Sequence, residues 1–344
     1  MVELRIILVG CGVVNLALLK IFLKHRERLI ARFGLNPQVV AVADSKGVVV
    51  NEEGIDIAKV IKVKKNNRSV IEFNELGKIH HDVIKAIESV DAEVVIEAIP
   101  SNINDGEPSV TYIKSAFKHG KHAITTNKGS LALFMSPLLE LARYNDVMFK
   151  FSGAVGGGTP MIDFAKKCLV GDDIISIRGI LNGTTNYILT QMQKGIRFDR
   201  ALQNAKRRGY VEVDPSIDID GLDAACKLVI LANVAMGKKV TLAQVKIRGI
   251  REVHEELIKE AGARGSTIRL VATARDDLRV APEEICVNDP IAVDGVLNAV
   301  TFTSRYAGDQ TIIGRGAGGT ETASAILRDL LDIRAGMQIL GGGE

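Results

Sequence analysis

Residues 4–25 read LRIILVGCGVVNLALLKIFLKH, and this stretch decides the fold of the first half of the chain. The aliphatic run over 4–9 predicts a short buried strand, and the apolar spacing that follows predicts an amphipathic helix. The turn between them contains glycines, so a pyrophosphate can approach backbone N–H groups at the positive end of the helix dipole. The residues predicted to form this dinucleotide-binding turn are Gly10, Gly12, Val13 and Val14.

The third position of the G-x-G-x-x-G fingerprint is Asn15, where a glycine normally permits close packing of helix on sheet. The surrounding sequence supports the prediction in spite of this departure. Three more apolar runs follow, PQVVAVADS from 37, AEVVIEAIP from 92 and KHAITTN from 121. Alternating strands and helices predict an α/β fold with a doubly wound, Rossmann-type parallel sheet. The alternative is an α/β domain that binds only a phosphate or no nucleotide.

Asp44 ends the second predicted strand, where a carboxylate can bond the ribose 2′-hydroxyl of NAD and repel the extra phosphate of NADP. Ser45 and Lys46 follow directly and could hold that phosphate. The sequence therefore leaves the cofactor as NADP or NAD.

Ser101 and Lys128 follow the third and fourth predicted strands, at the carboxyl edge of the sheet, where open α/β folds bind their ligands. We therefore predict that both contact the cofactor. The simpler interpretation of Lys128 is a solvated lysine at a strand end.

The composition excludes several classes of protein. The 344 residues are 47% hydrophobic and 25% charged, which indicates a globular chain of two domains or one large domain with an appendage. The net charge is +3 and there is no Trp, so a nucleic-acid partner is not expected. No apolar run reaches eighteen residues, so we expect no membrane partner and a cytoplasmic location. The cysteines are expected to be buried free thiols, and they are Cys11, Cys168, Cys226 and Cys286.

Two glycine-containing segments open the second half of the chain. FSGAVGGGTP, residues 151–160, leaves backbone carbonyls bare, so it could ligate an alkali cation or serve as a turn between domains. In RGILNGTTNYILTQM, residues 178–192, an aliphatic strand is predicted to end at Gly183. The residues after it could cap the next helix, and they are Thr184, Thr185 and Asn186.

The segment GYVEVDPSIDIDGLDAACKLVILANVA, residues 209–235, combines five carboxylates with one lysine. A calcium loop is excluded, because aligning Gly221 with the loop glycine places Lys227 where the chelating Glu must lie. Asp223 and Lys227 are four apart on a helix whose later residues are apolar all round, so this helix is predicted to be buried. Partly desolvated groups of this kind have shifted pKa values and can exchange protons. With a nicotinamide cofactor, the set suits hydride transfer between an alcohol and an aldehyde of an amino-acid substrate.

The chain resembles the homoserine dehydrogenase family over residues 4–332. The resemblance is carried by AKRRGYVEVDPSIDIDGLDAACK, TTNKGSLA, SGAVGGGTP, GILNGTTNYIL and GRGAGGTETASAILRDL. It implies NAD(P)H-dependent reduction of L-aspartate 4-semialdehyde to L-homoserine, the branch step toward threonine and methionine. Lys227 would be the proton donor with Asp223 beside it, and Lys128 would be a second active-site lysine. The substrate would be bound by Glu212, Asp218, Asp223, Gly183 and Thr184.

The resemblance also implies a monovalent cation, usually sodium, on the backbone carbonyls of Ser152, Val155, Gly157 and Thr159. Gly316 and Gly318 would lie near the nicotinamide. The implied organisation is a dinucleotide-binding domain over 1–150, an α+β catalytic and dimerisation domain over 151–310, and a segment over 311–344 that returns to the first domain. We expect a homodimer and a short form, without a fused aspartate kinase or a C-terminal regulatory domain.

Two alternatives remain at this point. One is a dehydrogenase of another small semialdehyde or oxo acid, which the carboxylate set disfavours. The other is a dinucleotide-sensing protein without catalysis, which would need neither Lys227 nor Lys128. Asp214 and Asp220 have no assigned role.

Overall fold

The computed structural model describes residues 3–66, 68–72, 74–211 and 214–341. The chain divides into two compact units, which are Met1–Ala154 together with Gly318–Glu344, and Val155–Ala317. The C-terminal segment therefore belongs to the same unit as the N-terminal half.

The first unit alternates strands with helices. Its elements are β1 Glu3–Val9, α1 Val13–Phe33, β2 Asn36–Asp44, β3 Gly47–Val50, α2 Ile57–Lys65, β4 Lys78–His80, α3 Val83–Ser89, β5 Val94–Glu97, α4 Ser109–Lys118, β6 His122–Thr125, α5 Lys128–Tyr144 and β7 Phe149–Lys150. Short 3₁₀ turns cover Val70–Glu72, Asn74–Leu76 and Ser152–Ala154.

The strands of the first unit form one sheet of seven, in the order β4-β3-β2-β1-β5-β6-β7. The pairs from β2 through β1 and β5 to β7 are parallel, while β3 and β4 add an antiparallel edge. The chain moves outward from β1 in both directions, which confirms the predicted doubly wound, Rossmann-type sheet.

The elements of the second unit are α6 Met161–Asp163, β8 Ile174–Ile180, α7 Gly183–Gln193, α8 Phe198–Arg207, α9 Ser216–Ile219, α10 Leu222–Ala235, β9 Val245–Ile247, α11 Glu255–Ala263, β10 Ser266–Ala274, β11 Leu278–Cys286, β12 Leu297–Ser304 and β13 Gly308–Arg315. A π-helical turn, Phe164–Cys168, continues α6, and a 3₁₀ turn covers Leu242–Gln244. The last helix, α12 Gly319–Gly341, belongs to the first unit.

The second unit is built on a six-stranded sheet in the order β13-β12-β8-β10-β11-β9. All its pairs are antiparallel except β9 with β11. In this sheet β8 lies between β12 and β10. This architecture confirms the predicted α/β nucleotide-binding domain with an additional α+β domain.

One sequence expectation about burial is wrong. Cys11 and Cys226 are buried, but Cys168 and Cys286 are exposed, because they lie at the ends of a short helix and a strand. Among the described residues, no helix is both long enough and apolar enough to cross a membrane.

Candidate active site

The turn between β1 and α1 has the geometry of an anion site. Gly10 has φ +90°, and a Cβ there would lie 2.7 Å from the Ala98 carbonyl oxygen, so only glycine fits. Gly12 is the N-cap of α1 and no side chain caps this helix. The first N–H groups of α1 are therefore left to water or to a ligand, as a dinucleotide pyrophosphate requires.

Asn15 has a role that the fingerprint does not predict. Its side chain is fully buried, and its Nδ2 donates to the Gly10 carbonyl oxygen at 2.6 Å. The amide thus closes the turn from within, at the position where a third glycine would lie in the fingerprint. The departure from G-x-G-x-x-G is compatible with a closed dinucleotide turn.

Asp44 lies at the end of β2, as predicted, and its carboxylate already has protein donors. It accepts from Lys64 Nζ at 2.9 Å, from Ser69 Oγ at 2.8 Å and from the N–H groups of Val70 and Lys46. Burial raises the pKa of Asp44, but the bonds from Lys64, Val70, Lys46 and Ser69 outweigh it and leave the pKa below its usual value. Lys46 Nζ pairs with Glu72 at 3.1 Å. Ser45 lies with Lys46 in the turn between β2 and β3.

Ser101 and Lys128 come together at the carboxyl edge of the first sheet. The Lys128 N–H donates to Ser101 Oγ at 3.1 Å. Lys128 is the first residue of α5, and Asn127 caps this helix by accepting from Gly129 and Ser130. The predicted position of Lys128 after the fourth parallel strand is thus confirmed.

In the second unit, α10 begins at a tight turn. Gly221 has φ +86°, and the space beside it is filled by Ile247, which approaches an added Cβ to 3.1 Å. The helix is buried from Asp223 through Ala232, as its apolar sequence predicts. The turn therefore directs Asp223 and Lys227 into the interior instead of toward solvent.

Asp223 and Lys227 form an ion pair of 2.8 Å, and their side chains are 6% and 7% exposed. Lys227 Nζ also donates to the Leu181 carbonyl oxygen at 2.7 Å, which connects α10 to the end of β8. An ammonium group has three N–H donors, and these two contacts use two of them. The third can donate to a substrate oxygen.

Asn182 organises the carboxylates, and sequence reasoning missed it. Its Nδ2 donates to Asp218 Oδ1 at 2.7 Å and to Asp223 Oδ2 at 2.8 Å. Each hydrogen of the amide thus bonds a different carboxylate, and the amide lies between the two acids. Its Oδ1 accepts from the Thr185 N–H at 2.8 Å and caps α7. The only signal available in the sequence was an Asn directly before Gly183, which is typical of a helix N-cap.

This geometry corrects the predicted capping. The strand β8 ends at Ile180 and not at Gly183, and the cap is Asn182 instead of Thr184, Thr185 or Asn186. Thr184 Oγ1 instead donates to the Tyr210 carbonyl oxygen at 2.8 Å. A Cβ on Gly183 would lie 2.8 Å from the Val296 carbonyl oxygen, so glycine is required there.

Asp218 lies on α9 and faces the ion pair through Asn182. Burial raises the pKa of its carboxyl above the usual value, and the charge of Asp223 raises it further. The hydrogen bond from Asn182, the nearby hydroxyl of Thr184 and the charge of Lys227 act in the opposite direction without cancelling the shift. Such a carboxylate gains from a cationic partner such as a substrate ammonium group.

Two other acids of the segment, Asp220 and Asp214, do not join this group. Asp220 pairs with Arg251 at the surface, and Asp214 accepts from the Ser216 N–H at 2.9 Å. Glu212 lies outside the described residues. The predicted cluster of five carboxylates is therefore reduced to Asp218 and Asp223 among the residues that the structure describes.

The predicted cation residues lie along one short stretch, Ser152 in the first unit and Val155, Gly157 and Thr159 in the second. The side chains of Ser152, Val155 and Thr159 are buried. Gly156 and Gly157 have φ +81° and +54°, which turns the chain sharply between the proposed ligands.

Gly316 and Gly318 lie in the segment between β13 and α12. A Cβ on Gly316 would lie 2.2 Å from the side-chain amide of Asn298, which is fully buried on β12. Neither amide atom of Asn298 has a hydrogen-bond partner among the described residues. Gly318 has φ +140°, a backbone conformation that favours glycine. Close packing therefore accounts for Gly316, and the backbone conformation accounts for Gly318.

Comparison with known proteins identifies the relatives of the chain. The family model described as homoserine dehydrogenase matches residues 160–331, and one described as glutamate/leucine/phenylalanine/valine dehydrogenase matches residues 28–116. The homoserine dehydrogenase of Methanocaldococcus jannaschii is 43% identical, over 95% of this chain and 98% of that protein. An NAD(+)-dependent homoserine dehydrogenase of Pseudomonas canavaninivorans is 35% identical, over 97% of each chain.

A solved structure adds the same result at the level of the fold. A hyperthermophilic archaeal homoserine dehydrogenase in complex with NADPH superposes with a TM-score of 0.83 and 28% identity, over 97% of this chain and 98% of that one. Sequence and fold agree over nearly the whole length. The chain belongs to the homoserine dehydrogenase family, whose enzymes are NAD(P)-dependent oxidoreductases.

Proposed function

We propose that Asn182, Asp218, Asp223 and Lys227 carry the homoserine dehydrogenase reaction in this chain, the reversible interconversion of L-aspartate 4-semialdehyde and L-homoserine. The observation that supports this most directly is the buried ammonium group of Lys227. Among the described residues, Leu181 and Asp223 fix two of its donors, so the third can reach a ligand. The remaining N–H of Lys227 therefore has a fixed direction, and general acid catalysis requires a proton donor that is held in a fixed position toward the reacting oxygen.

In the direction of reduction, Lys227 donates a proton to the aldehyde oxygen as negative charge develops there. In the direction of oxidation, the same nitrogen accepts the proton of the alcohol. Asp223 stabilises the ammonium form and fixes its orientation, since it lies 2.8 Å away. The bound NAD(P) cofactor supplies or accepts the hydride. Lys128 is proposed as the second active-site lysine, and Gly183 and Thr184 as substrate contacts together with Glu212.

Asp218 is proposed to bind the substrate ammonium group. Burial holds the pKa of Asp218 above its usual value, and lowering the pH through this raised pKa protonates Asp218 and removes the charge that attracts the ammonium. The KM for homoserine is therefore expected to rise as the pH falls through that pKa, and Asp218→Asn should have a high KM without this transition. Steady-state kinetics at a series of pH values measure both effects.

Asp214→Asn is the matched control for this prediction. Asp214 is exposed on the same segment, and backbone and side-chain hydrogen bonds from Ser216 hold its pKa below the usual value. Its loss should leave the pH dependence of KM intact. An unchanged profile in Asp218→Asn would contradict the proposed role.

The cofactor is proposed to bind at the first turn of α1, with Asp44, Ser45 and Lys46 around the adenosine ribose and Ser101 near the nicotinamide end. Gly316 and Gly318 are proposed to lie near the nicotinamide ring. Because Lys64 lies 2.9 Å from Asp44, its charge offsets that of the carboxylate. The repulsion of a 2′-phosphate is thereby weakened, so we propose that both NAD and NADP are accepted.

Replacing Lys64 by methionine should show how far its charge offsets the repulsion between Asp44 and a 2′-phosphate. Without its cation, Asp44 repels the 2′-phosphate more strongly, and kcat/KM for NADP⁺ is expected to fall about tenfold more than kcat/KM for NAD⁺. The control is Lys59→Met on the same helix, where the lysine pairs with exposed Glu75 at 3.4 Å. An equal loss with both cofactors would exclude discrimination by Lys64.

The decisive experiment for the function is the initial rate of L-homoserine oxidation with NAD⁺ and with NADP⁺, measured separately at alkaline pH. It tests substrate, reaction and cofactor together. We expect activity with both cofactors. If neither NAD⁺ nor NADP⁺ supports oxidation of L-homoserine, the proposed reaction is refuted.

Three further proposals follow from the family. A monovalent cation, with sodium as the usual occupant, would be held by the carbonyls of Ser152, Val155, Gly157 and Thr159, since neutral carbonyl oxygens suit such an ion. The chain is proposed to form a homodimer through its second unit, which light scattering after size-exclusion chromatography would test. It is proposed to act in the cytoplasm.

A further inference from the structure

A group of buried polar side chains lies at the carboxyl edge of the first sheet, and no step of the proposed mechanism uses it. We name it the Glu97 cluster. All its members are at most 1% exposed, and they are Glu97, Ser109, Thr125, Asn127 and Ser130. A carboxyl group inside a protein is costly unless its oxygens are hydrogen-bonded, so its partners indicate its purpose.

Glu97 ends β5 and contacts both neighbouring loops. Its Oε1 accepts from the Ile99 N–H at 3.0 Å, and its Oε2 accepts from Thr125 Oγ1 at 2.5 Å and from Ser109 Oγ at 2.7 Å. Burial raises the pKa of the Glu97 carboxyl, although these bonds lower it in part. The side chain therefore ties the end of β5 to the end of β6 and to the start of α4.

The bond to Thr125 leads directly to Lys128. Thr125 Oγ1 accepts from the Asn127 N–H at 3.0 Å, and Asn127 caps the helix that Lys128 begins. Asn127 Nδ2 also donates to the Pro100 carbonyl oxygen at 3.3 Å. The position of the Lys128 backbone thus depends on a chain of buried hydrogen bonds that starts at Glu97.

The hydrogen bond from the Ile99 N–H holds the loop that follows β5, where the cofactor is proposed to bind. The loop after β5 carries Ser101, which accepts from the Lys128 N–H. The Ala98 carbonyl oxygen in this loop fills the space that a side chain on Gly10 would need. A Cβ on Gly129 would lie 2.0 Å from the Asn102 carbonyl oxygen, so the loop after β5 packs directly against the first turn of α5.

We infer that Glu97 is a positioning residue for the dehydrogenase reaction: through Thr125 and Asn127 it sets the place of Lys128, and through Ile99 it sets the loop that carries Ser101. A network of satisfied buried hydrogen bonds selects one loop geometry, whereas an apolar residue at this point would leave both loops without a shared anchor. The inference rests on the proposed role of Lys128 in the active site.

The test uses Thr125→Val, which keeps the shape of the side chain and removes only the hydroxyl between Glu97 and Asn127. We expect kcat for homoserine to fall about 10- to 100-fold, since a displaced active-site group costs that much. Binding of NADPH, followed by its fluorescence, should stay within about threefold of wild type. Thr125→Ser restores the hydroxyl and should recover kcat to within about twofold.

Glu97→Met keeps the length of the side chain and removes both acceptor oxygens, so it should produce the same loss of kcat and, because it also loses the bond from the Ile99 N–H, weaker NADPH binding. The double variant Glu97→Met/Thr125→Val should be no slower than Glu97→Met alone, because both changes interrupt one path. The control is His122→Leu at the opposite end of β6, which loses the bond from the Met148 N–H. It should lower the melting temperature and leave kcat unchanged.

Lys128→Met, measured in parallel, separates the two ideas. If Lys128→Met is slow but Thr125→Val has normal kcat, the positioning role is wrong and the proposed role of Lys128 stands. If Lys128→Met has normal kcat, the proposed role of Lys128 is wrong and Glu97 has nothing to position. If every variant of the cluster changes only the melting temperature, Glu97 is a stabilising residue without a part in the reaction.

Discussion

Lys227→Ala is expected to lower kcat for homoserine oxidation by about 10²- to 10⁴-fold, the range that a positioned general acid or base contributes. The reason is geometric as well as chemical. The Lys227 nitrogen is held between Leu181 and Asp223, and water in the vacated space would have no such orientation. Binding of NAD(P)H should persist, because the described residues of the first unit form the turn at α1 without Lys227.

The stability of the variant must be measured beside its kinetics. Removing one partner of a buried ion pair costs about 3–5 kcal/mol, because Asp223 is left in the interior without its cation. Melting curves and NADPH titrations show whether the loss of turnover occurs in folded protein. The control Lys239→Ala removes an exposed lysine just beyond the same helix. Normal kcat in folded Lys227→Ala would refute its assignment as proton donor.

Asn182→Asp is expected to be the most destabilising single-atom change at this site. An aspartate can still cap α7, but it cannot donate to Asp218 and Asp223, so three carboxylates would face one lysine. The lost bonds and the repulsion should lower the free energy of unfolding by about 3–5 kcal/mol near neutral pH. Urea denaturation monitored by circular dichroism measures this difference.

Acidification provides a second readout for Asn182→Asp. Crowded carboxylates have raised pKa values in the folded state, so the folded protein binds protons more tightly and the deficit should shrink as the pH falls. Asn233→Asp is the matched control, because the Asn233 amide donates to the Val240 carbonyl at 2.8 Å and not to an acid. Equal deficits in the two variants would exclude the separation of two acids as the role of Asn182.

Much of the fold could be predicted because its signals are local. Aliphatic runs ending in glycine or aspartate marked β1 and β2, and a helix apolar on all sides marked α10. Spacing of four placed Asp223 and Lys227 on one helical face, and burial of that helix turned a common surface pair into a buried one. The family resemblance then supplied the reaction that the comparisons confirm.

Contacts between residues that are far apart in the sequence could not be predicted from local patterns. The acids held by Asn182 are 36 and 41 residues away in the chain, and Glu97 reaches Thr125 across 28 residues. Asp214 and Asp220 belong to the same acidic segment as Asp218, yet only Asp218 bonds to Asn182. No pattern of residue types in the sequence distinguishes Asp218 from these two acids.

The sequence by itself determined the alternation of parallel strands and helices in the first unit, the glycine turn at α1 and the pairing of Asp223 with Lys227, because each depends on neighbours within one or two turns of chain. Only the tertiary structure decided that Asn182 lies between two acids, that Asn15 closes the nucleotide turn and that Glu97 anchors two loops. Hydrogen-bond partners of buried polar groups are chosen by which elements pack together, and packing is a property of the whole fold.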